Sequence, residues 1–209
     1  MRAISFILVI ATLFTVSSCT KSPDFTQLSS NFVVATNIDQ KVSFSNYKTY
    51  YVSDSIATIS NSNTDTIWND ANSKKLVDAV KQNMAARGFT FVPKGAKPDL
   101  GLNMAAVKVL NIGVAYPGWG WGYPGYWDPW YWGWYYPYYY PWTITYAVTT
   151  GSVGIDMIDL KNVNNSNQKL SAVWSALMGG ALGIAANDID NAVKSINQAF
   201  VQSPTLKTN

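Results

Sequence analysis

Apolar residues fill positions 3–16 almost without a break, and no charge interrupts them. Arg2 precedes the run; the small residues Ser17 and Ser18 and then Cys19 follow it. A charged start, a short apolar stretch and small residues before a cut make the three-part layout of a secretory signal peptide, expected here at 1–18. Fourteen residues are too few for a helix crossing a hydrocarbon core, which takes about 20. Residues 19–30 are polar and predict a tether.

Beyond the tether the periods change. Positions 32–36, 42–44 and 47–52 are rich in aromatic and β-branched residues and predict strands. Positions 54–69 are dominated by Ser, Asn, Thr and Asp and predict a loop. Leu76, Val77, Val80 and Met84 then recur at helical spacing, which predicts a helix over 73–87. Asn72 or Ser73 is placed to cap it, and Gly88 sits where a left-handed residue closes a helix. A short strand is expected at 89–92 and a turn at 94–98. Leu100, Leu102, Met104 and Ala106 alternate with Gly101, Asn103 and Ala105, the pattern of a half-buried strand. Strands are expected again within 144–160 and at 170–177, joined by an Asn-rich turn at 162–168. Ile189, Val193, Ile196 and Phe200 return to helical spacing before Pro204, with Asp188 and Asp190 near the positive end of that helix. The expectation is one α+β domain over 31–203, a mostly antiparallel sheet with two helices packed on one face.

Composition narrows the chemistry. The 209 residues carry 15 Lys+Arg against 12 acids, for a net charge of +3, with no His and one Cys. All twelve acids are Asp. Without His, neither Ser-His-Asp nor Cys-His catalysis is available. A single Cys closes no intramolecular disulfide and, without His, builds no ordinary zinc or iron–sulfur site. No metal or cofactor is expected. What remains is oxygen chemistry by aspartates, or none.

Each candidate for such chemistry has a plainer structural use. Asp156 and Asp159 stand three apart on a strand, so they point to opposite faces and read as solvated or turn-capping groups. Asn187, Asp188 and Asp190 lack the spacing of a Ca²⁺ loop and read as a helix cap. Gly179 to Gly183 is no phosphate loop, because no Lys-Ser/Thr follows; it reads as a flexible connection. The triplets beginning at Asp54 and Asp65 resemble Asp-Ser/Thr-aliphatic acceptors for O-glycans, which makes Ser55 and Thr66 candidate glycosylation positions.

Two resemblances add to this. Val16-Ser17-Ser18-Cys19 resembles the lipobox of bacterial lipoproteins, in which the Cys thiol is alkylated with diacylglycerol and becomes the first residue after cleavage. The resemblance implies that Cys19 is the lipidation site and that acyl chains such as palmitate anchor the protein. Two or more chains hold a protein stably, at about 0.8 kcal/mol per buried CH₂. Thr20 follows, where an Asp would signal retention in the inner membrane, so the outer membrane is expected, on its periplasmic face. The second resemblance is carried by Phe44-Ser45-Asn46-Tyr47-Lys48-Thr49-Tyr50, Arg87-Gly88-Phe89, Pro98-Asp99-Leu100, the run from Gly151 to Asp159, and Lys169-Leu170-Ser171-Ala172-Val173-Trp174. In this order they resemble the DUF4136 lipoproteins. That family's pattern has an Asp where Ser43 precedes Phe44, and an Arg where Ser175 follows Trp174. The resemblance implies an envelope lipoprotein domain and no catalytic residue.

Residues 116–142 form an insertion unlike the rest. Sixteen of these 27 residues are Trp or Tyr, five are Pro, five are Gly, and Asp128 is the one charge. The prolines exclude a regular helix and break strand ladders. At about 150–250 Å² each, sixteen such rings would need more cover than one small domain can supply, so many are expected to be partly exposed. The candidate binding surface is Trp119, Trp121, Tyr126, Trp127, Trp130, Trp132, Trp134 and Tyr138. It suits a membrane interface, cell-wall glycan or an envelope protein. Nucleic acid is not expected, because stacking platforms for it need flanking Lys or Arg. A low-complexity insertion with no ligand is the bland alternative. The function expected is a lipid-anchored, non-enzymatic structural or interaction domain. A glycan- or membrane-interface-binding module acting through the tract is one alternative, and an Asp-dependent envelope hydrolase another.

Overall fold

A computed structural model describes residues 33–60, 67–109, 151–164, 169–183 and 188–208. The strands are β1 (Val33–Ile38), β2 (Thr49–Val52), β3 (Ile56–Ser60), β4 (Ile67–Trp68), β5 (Thr90–Phe91), β6 (Leu100–Val109), β7 (Val153–Asn164) and β8 (Lys169–Gly179). The helices are α1 (Ala71–Ala86) and α2 (Ile189–Val201). Among the described residues they make one eight-stranded sheet in the order β1-β8-β7-β6-β2-β5, with β3 pairing β6 and β4. The pairs β1–β8, β8–β7, β7–β6 and β3–β4 are antiparallel, while β2–β5, β2–β6 and β3–β6 are parallel. The α+β class therefore stands, on a sheet that is mixed at one side.

Several local expectations change. The region 54–69 is not one loop. It contains β3 and β4, and β3 runs along β6 where β2 leaves off, at Ala57↔Ala105 after Val52↔Leu102. Local polarity hid strands whose pairing is long-range. Phe44–Asn46 is a 3-10 turn rather than a strand. The cap of α1 is Asp70, whose carboxylate accepts from the backbone N–H groups of Asn72 and Ser73, so the helix begins two residues before the expected start. β7 runs to Asn164, into what composition marked as a turn.

Register explains the core. Leu102 pairs with Met157, Met104 with Ile155 and Ala106 with Val153. Those three pair in turn with Trp174, Ala176 and Met178. All lie on one face, in one cluster with Leu76, Val77, Val80 and Met84 of α1 and Ile189, Ile196 and Phe200 of α2. The helices lie side by side and run the same way. Asn83 donates to Asn197 at 2.7 Å, and the Arg87 guanidinium stands 4.9 Å over the Phe200 ring. Their N-terminal ends meet around a shallow groove lined by Asn72, Lys75, Asp188, Ile189 and Asp190. No described helix is long and apolar enough to cross a membrane.

Candidate functional site

Cys19, Thr66, Asn187 and the eight aromatic candidates Trp119, Trp121, Tyr126, Trp127, Trp130, Trp132, Trp134 and Tyr138 lie outside the described residues. The remaining candidates can be placed. Asp156 pairs with Asn103, while Asp159 pairs with Leu100, an odd number of residues away. Their side chains therefore leave the sheet on opposite faces, and the pair cannot share a substrate.

Asp159 works as a strand-end clamp on the helix face. Its Oδ1 accepts from the backbone N–H of Lys161 at 2.9 Å and of Asn162 at 2.8 Å. Its Oδ2 accepts from the Tyr47 hydroxyl at 2.7 Å and from the Asn162 amide at 3.0 Å. Burial, then the hydrogen bond and charge of Asp159, hold the Tyr47 hydroxyl protonated well above the ordinary tyrosine range.

Asp99, Asp39 and Asp188 follow the same pattern. Asp99 accepts from the N–H groups of Lys48 at 2.7 Å and Thr49 at 3.1 Å, and Thr49 Oγ1 accepts in return from Asp99 N–H at 3.0 Å. This stitches the start of β2 to the start of β6. Burial opposes the Asp99 charge, but those donors and Lys161 outweigh it, and the carboxyl stays below its ordinary range. Asp39 accepts from Lys41 N–H, and Asp54 pairs with Lys81 at 2.6 Å. Asp188 accepts from Asn191 N–H and caps α2, as its position in the sequence predicted. Carboxylates committed to backbone N–H groups in this way serve as structural acceptors. Among the described residues no group of three Cys, His, Asp or Glu side chains is gathered for a metal.

The Gly179-to-Gly183 stretch is a tight turn rather than a flexible connection. Leu182 N–H donates to the Gly151 carbonyl at 2.8 Å and Gly183 N–H to that of Gly180 at 2.9 Å. Ser55, between β2 and β3, is half-buried, and its hydroxyl pairs with that of Ser53 at 3.0 Å.

One arrangement escaped the sequence reading. Asn37 pairs with Ser175, Ser175 with Asp156, and Asp156 with Asn103, so four polar residues cross four strands in a single row. The row lies on the face turned away from the helices. Asp156 is 0 % exposed and Asn103 and Ser175 are each 4 % exposed. The expectation of a half-buried β6 and a solvated Asp156 is thereby corrected. Gly101, Asn103 and Ala105 are as buried as their apolar neighbours. Alternation marked these positions as the second face of a strand, and small or polar side chains there looked like a solvent face.

Known proteins resemble this chain to different degrees. Residues 34–205 match the family described as "Domain of unknown function (DUF4136)". The chain is similar to the crystal structure of a DUF4136 family protein from Bacteroides thetaiotaomicron VPI-5482, at 32 % identity and a TM-score of 0.74, over 86 % of this chain and 99 % of that one. A PelC dodecamer from Paraburkholderia phytofirmans is matched at 14 % identity and a TM-score of 0.35, over 84 % and 98 % of the two chains. No curated protein is significantly similar.

Proposed function

The chain belongs to the DUF4136 family, and from that premise we propose that it is a lipid-anchored envelope protein whose domain is a non-enzymatic interaction module. The observation that carries the anchor is Cys19, the one cysteine of the chain, closing an uncharged apolar run behind Arg2. A thiol in that position is the nucleophile that diacylglycerol transfer requires. The site of action that follows is the outer membrane, with Thr20 rather than Asp behind the anchor and the domain on the periplasmic side. Support for the non-enzymatic part comes from the carboxylates. In a chain without His or Glu, Asp39, Asp70, Asp99, Asp159 and Asp188 each accept hydrogen bonds from backbone N–H groups. An acid or base for hydrolysis needs a carboxyl facing substrate.

Cys19→Ala tests the anchor. The variant is expected to leave the membrane fraction, or to accumulate as a precursor retaining residues 1–18. Normal processing together with normal membrane retention would overturn the reading. A second reading, binding of cell-wall glycan or an envelope protein, is favoured by the sixteen Trp and Tyr of residues 116–142. Capture of peptidoglycan fragments or an envelope protein by the intact chain, but not by a chain with a Gly/Ser linker there, would support it.

A further inference from the structure

We propose that the face of the sheet turned away from the helices is a docking floor for aromatic rings, and that its occupant is this chain's own segment 116–142. The two faces are built differently. On the helix side the cross-strand rows carry large side chains, such as Leu102, Met157 and Trp174. On the other side small residues stand among larger ones: Gly101 beside Ile158, and Ala105 and Gly154 in one row with Leu177. The side-chain volume missing at Gly101, Ala105 and Gly154 leaves hollows in that face, where planar rings can lie against the strands. Gly101, Ala105 and Gly154 are nonetheless buried, and Ile158 is 0 % exposed. Both described helices belong to the cluster on the opposite face, so they do not supply this cover.

Chemistry selects the occupant. The row of Asn37, Ser175, Asp156 and Asn103 places amide, hydroxyl and carboxyl groups in the middle of the floor. Tyr hydroxyls and Trp indole N–H groups bring an apolar body and a donor together. Geometry supplies the reach. Gly151 N–H donates to the Val107 carbonyl and Val107 N–H to that of Ser152, each at 2.8 Å. The 41 residues 110–150 thus leave and re-enter the sheet at one point, beside this floor. Four strands about 4.8 Å apart and about 7 residues long offer roughly 19 by 23 Å. That area takes a few rings and leaves most of the sixteen for a partner. The proposal is independent of the anchor at Cys19.

Hydroxyl-radical footprinting of the full chain tests it, against a full chain in which 116–142 is a Gly/Ser linker. Ile158 and Leu177, on the floor, are expected to be labelled at least five-fold faster in the linker chain. Leu76 and Met84, on the helix side, are expected to keep their protection. Equal protection of Ile158 and Leu177 in both chains would overturn the proposal. So would protection that falls on dilution as a dimer dissociates, which would give the floor to a second copy. Should the linker chain fail to fold, the intact chain carrying Ala105→Leu is the second probe. Its raised floor is expected to quicken proteolysis within 110–150 about ten-fold while the circular dichroism of the domain is kept. Unchanged cleavage would overturn the proposal.

Discussion

The Tyr47 hydroxyl donates to the Asp159 carboxylate at 2.7 Å, across 112 residues of chain. Both residues are buried, Tyr47 at 2 % and Asp159 at 5 % exposure. The bond ties the segment entering β2 to the far end of β7, and Lys161 strengthens the same corner by donating to the Asn46 carbonyl at 2.7 Å. The Tyr-Lys pair that gives the sequence its most recognisable motif thus has a packing role. Tyr47 satisfies a buried carboxylate, and Lys48 offers its backbone N–H to Asp99.

Tyr47→Phe keeps the ring and removes the donor. Asp159 retains its bonds from Lys161 and Asn162, so the loss is partial. The expected cost is about 1–3 kcal/mol, read as a lower denaturant midpoint with an unchanged slope. An unaltered midpoint would show that the bond contributes nothing net.

Alkali should unfold the domain through its buried tyrosines. Burial pushes the Tyr50 hydroxyl up to about 12, and Tyr47 is raised in the same direction. An unfolded tyrosine releases its proton near 10. Between those values the native state holds protons that the unfolded state has lost, so stability falls as pH rises. The stabilisation is complete below about pH 10 and is lost toward about 12. Tyr50→Phe is expected to flatten the decline between these limits. Denaturant melts taken from pH 8 upward check it, and an equal slope in the variant would refute the assignment.

The helices were legible because each buries one stripe: Leu76, Val77, Val80 and Met84 on α1, and Ile189, Ile196 and Phe200 on α2, all lie in the core. Strand positions were legible where apolar residues alternate, as in β6. The failures among the strands share one cause, the dependence of a strand on its partners. β3 and β4 hide in a polar stretch because their pairing with β6 and with each other is what makes them strands. Asn103 and Asp156 looked like solvent-facing groups because nothing local says that this face of the sheet is buried. The cap of α1 was misplaced by two residues because Asp70, Asn72 and Ser73 are all good capping types; only the bonds to Asp70 decide among them.

That cap gives a sharp test. Asp70 Oδ1 accepts from Asn72 N–H at 2.8 Å and Ser73 N–H at 3.0 Å. Asp70→Ala is expected to cost about 1 kcal/mol. Asn72→Ala, already inside the helix, is expected to stay within about 0.5 kcal/mol. Thermal melts of the two variants should separate clearly. The reverse order would move the cap back to the position that composition suggested.

Two glycines with positive φ should differ in what an added methyl costs. Gly151, at φ +80°, begins the hydrogen-bonded re-entry into β7, and a Cβ there would run into the Gly183 backbone carbonyl. That carbonyl sits in the turn held by Leu182 N–H on the Gly151 oxygen, so it can retreat only if the turn opens. Gly88, at φ +85°, closes α1, and its added Cβ would meet the Thr208 hydroxyl. Thr208 is held more loosely, by its N–H at 3.0 Å and its Oγ1 at 3.3 Å on the Arg87 carbonyl. Both substitutions incur the left-handed backbone penalty of about 1 kcal/mol or more. Only Gly151→Ala adds a clash with backbone, and it is expected to destabilise by about 3 kcal/mol or more, with the excess assigned to that clash. Gly88→Ala should cost about 1–2 kcal/mol, and part of that should return in a Thr208→Ala background, where the hydroxyl is gone. A double-mutant cycle by chemical denaturation measures the coupling. Zero coupling between positions 88 and 208, or equal costs at the two glycines, would show that the tail and the turn yield alike.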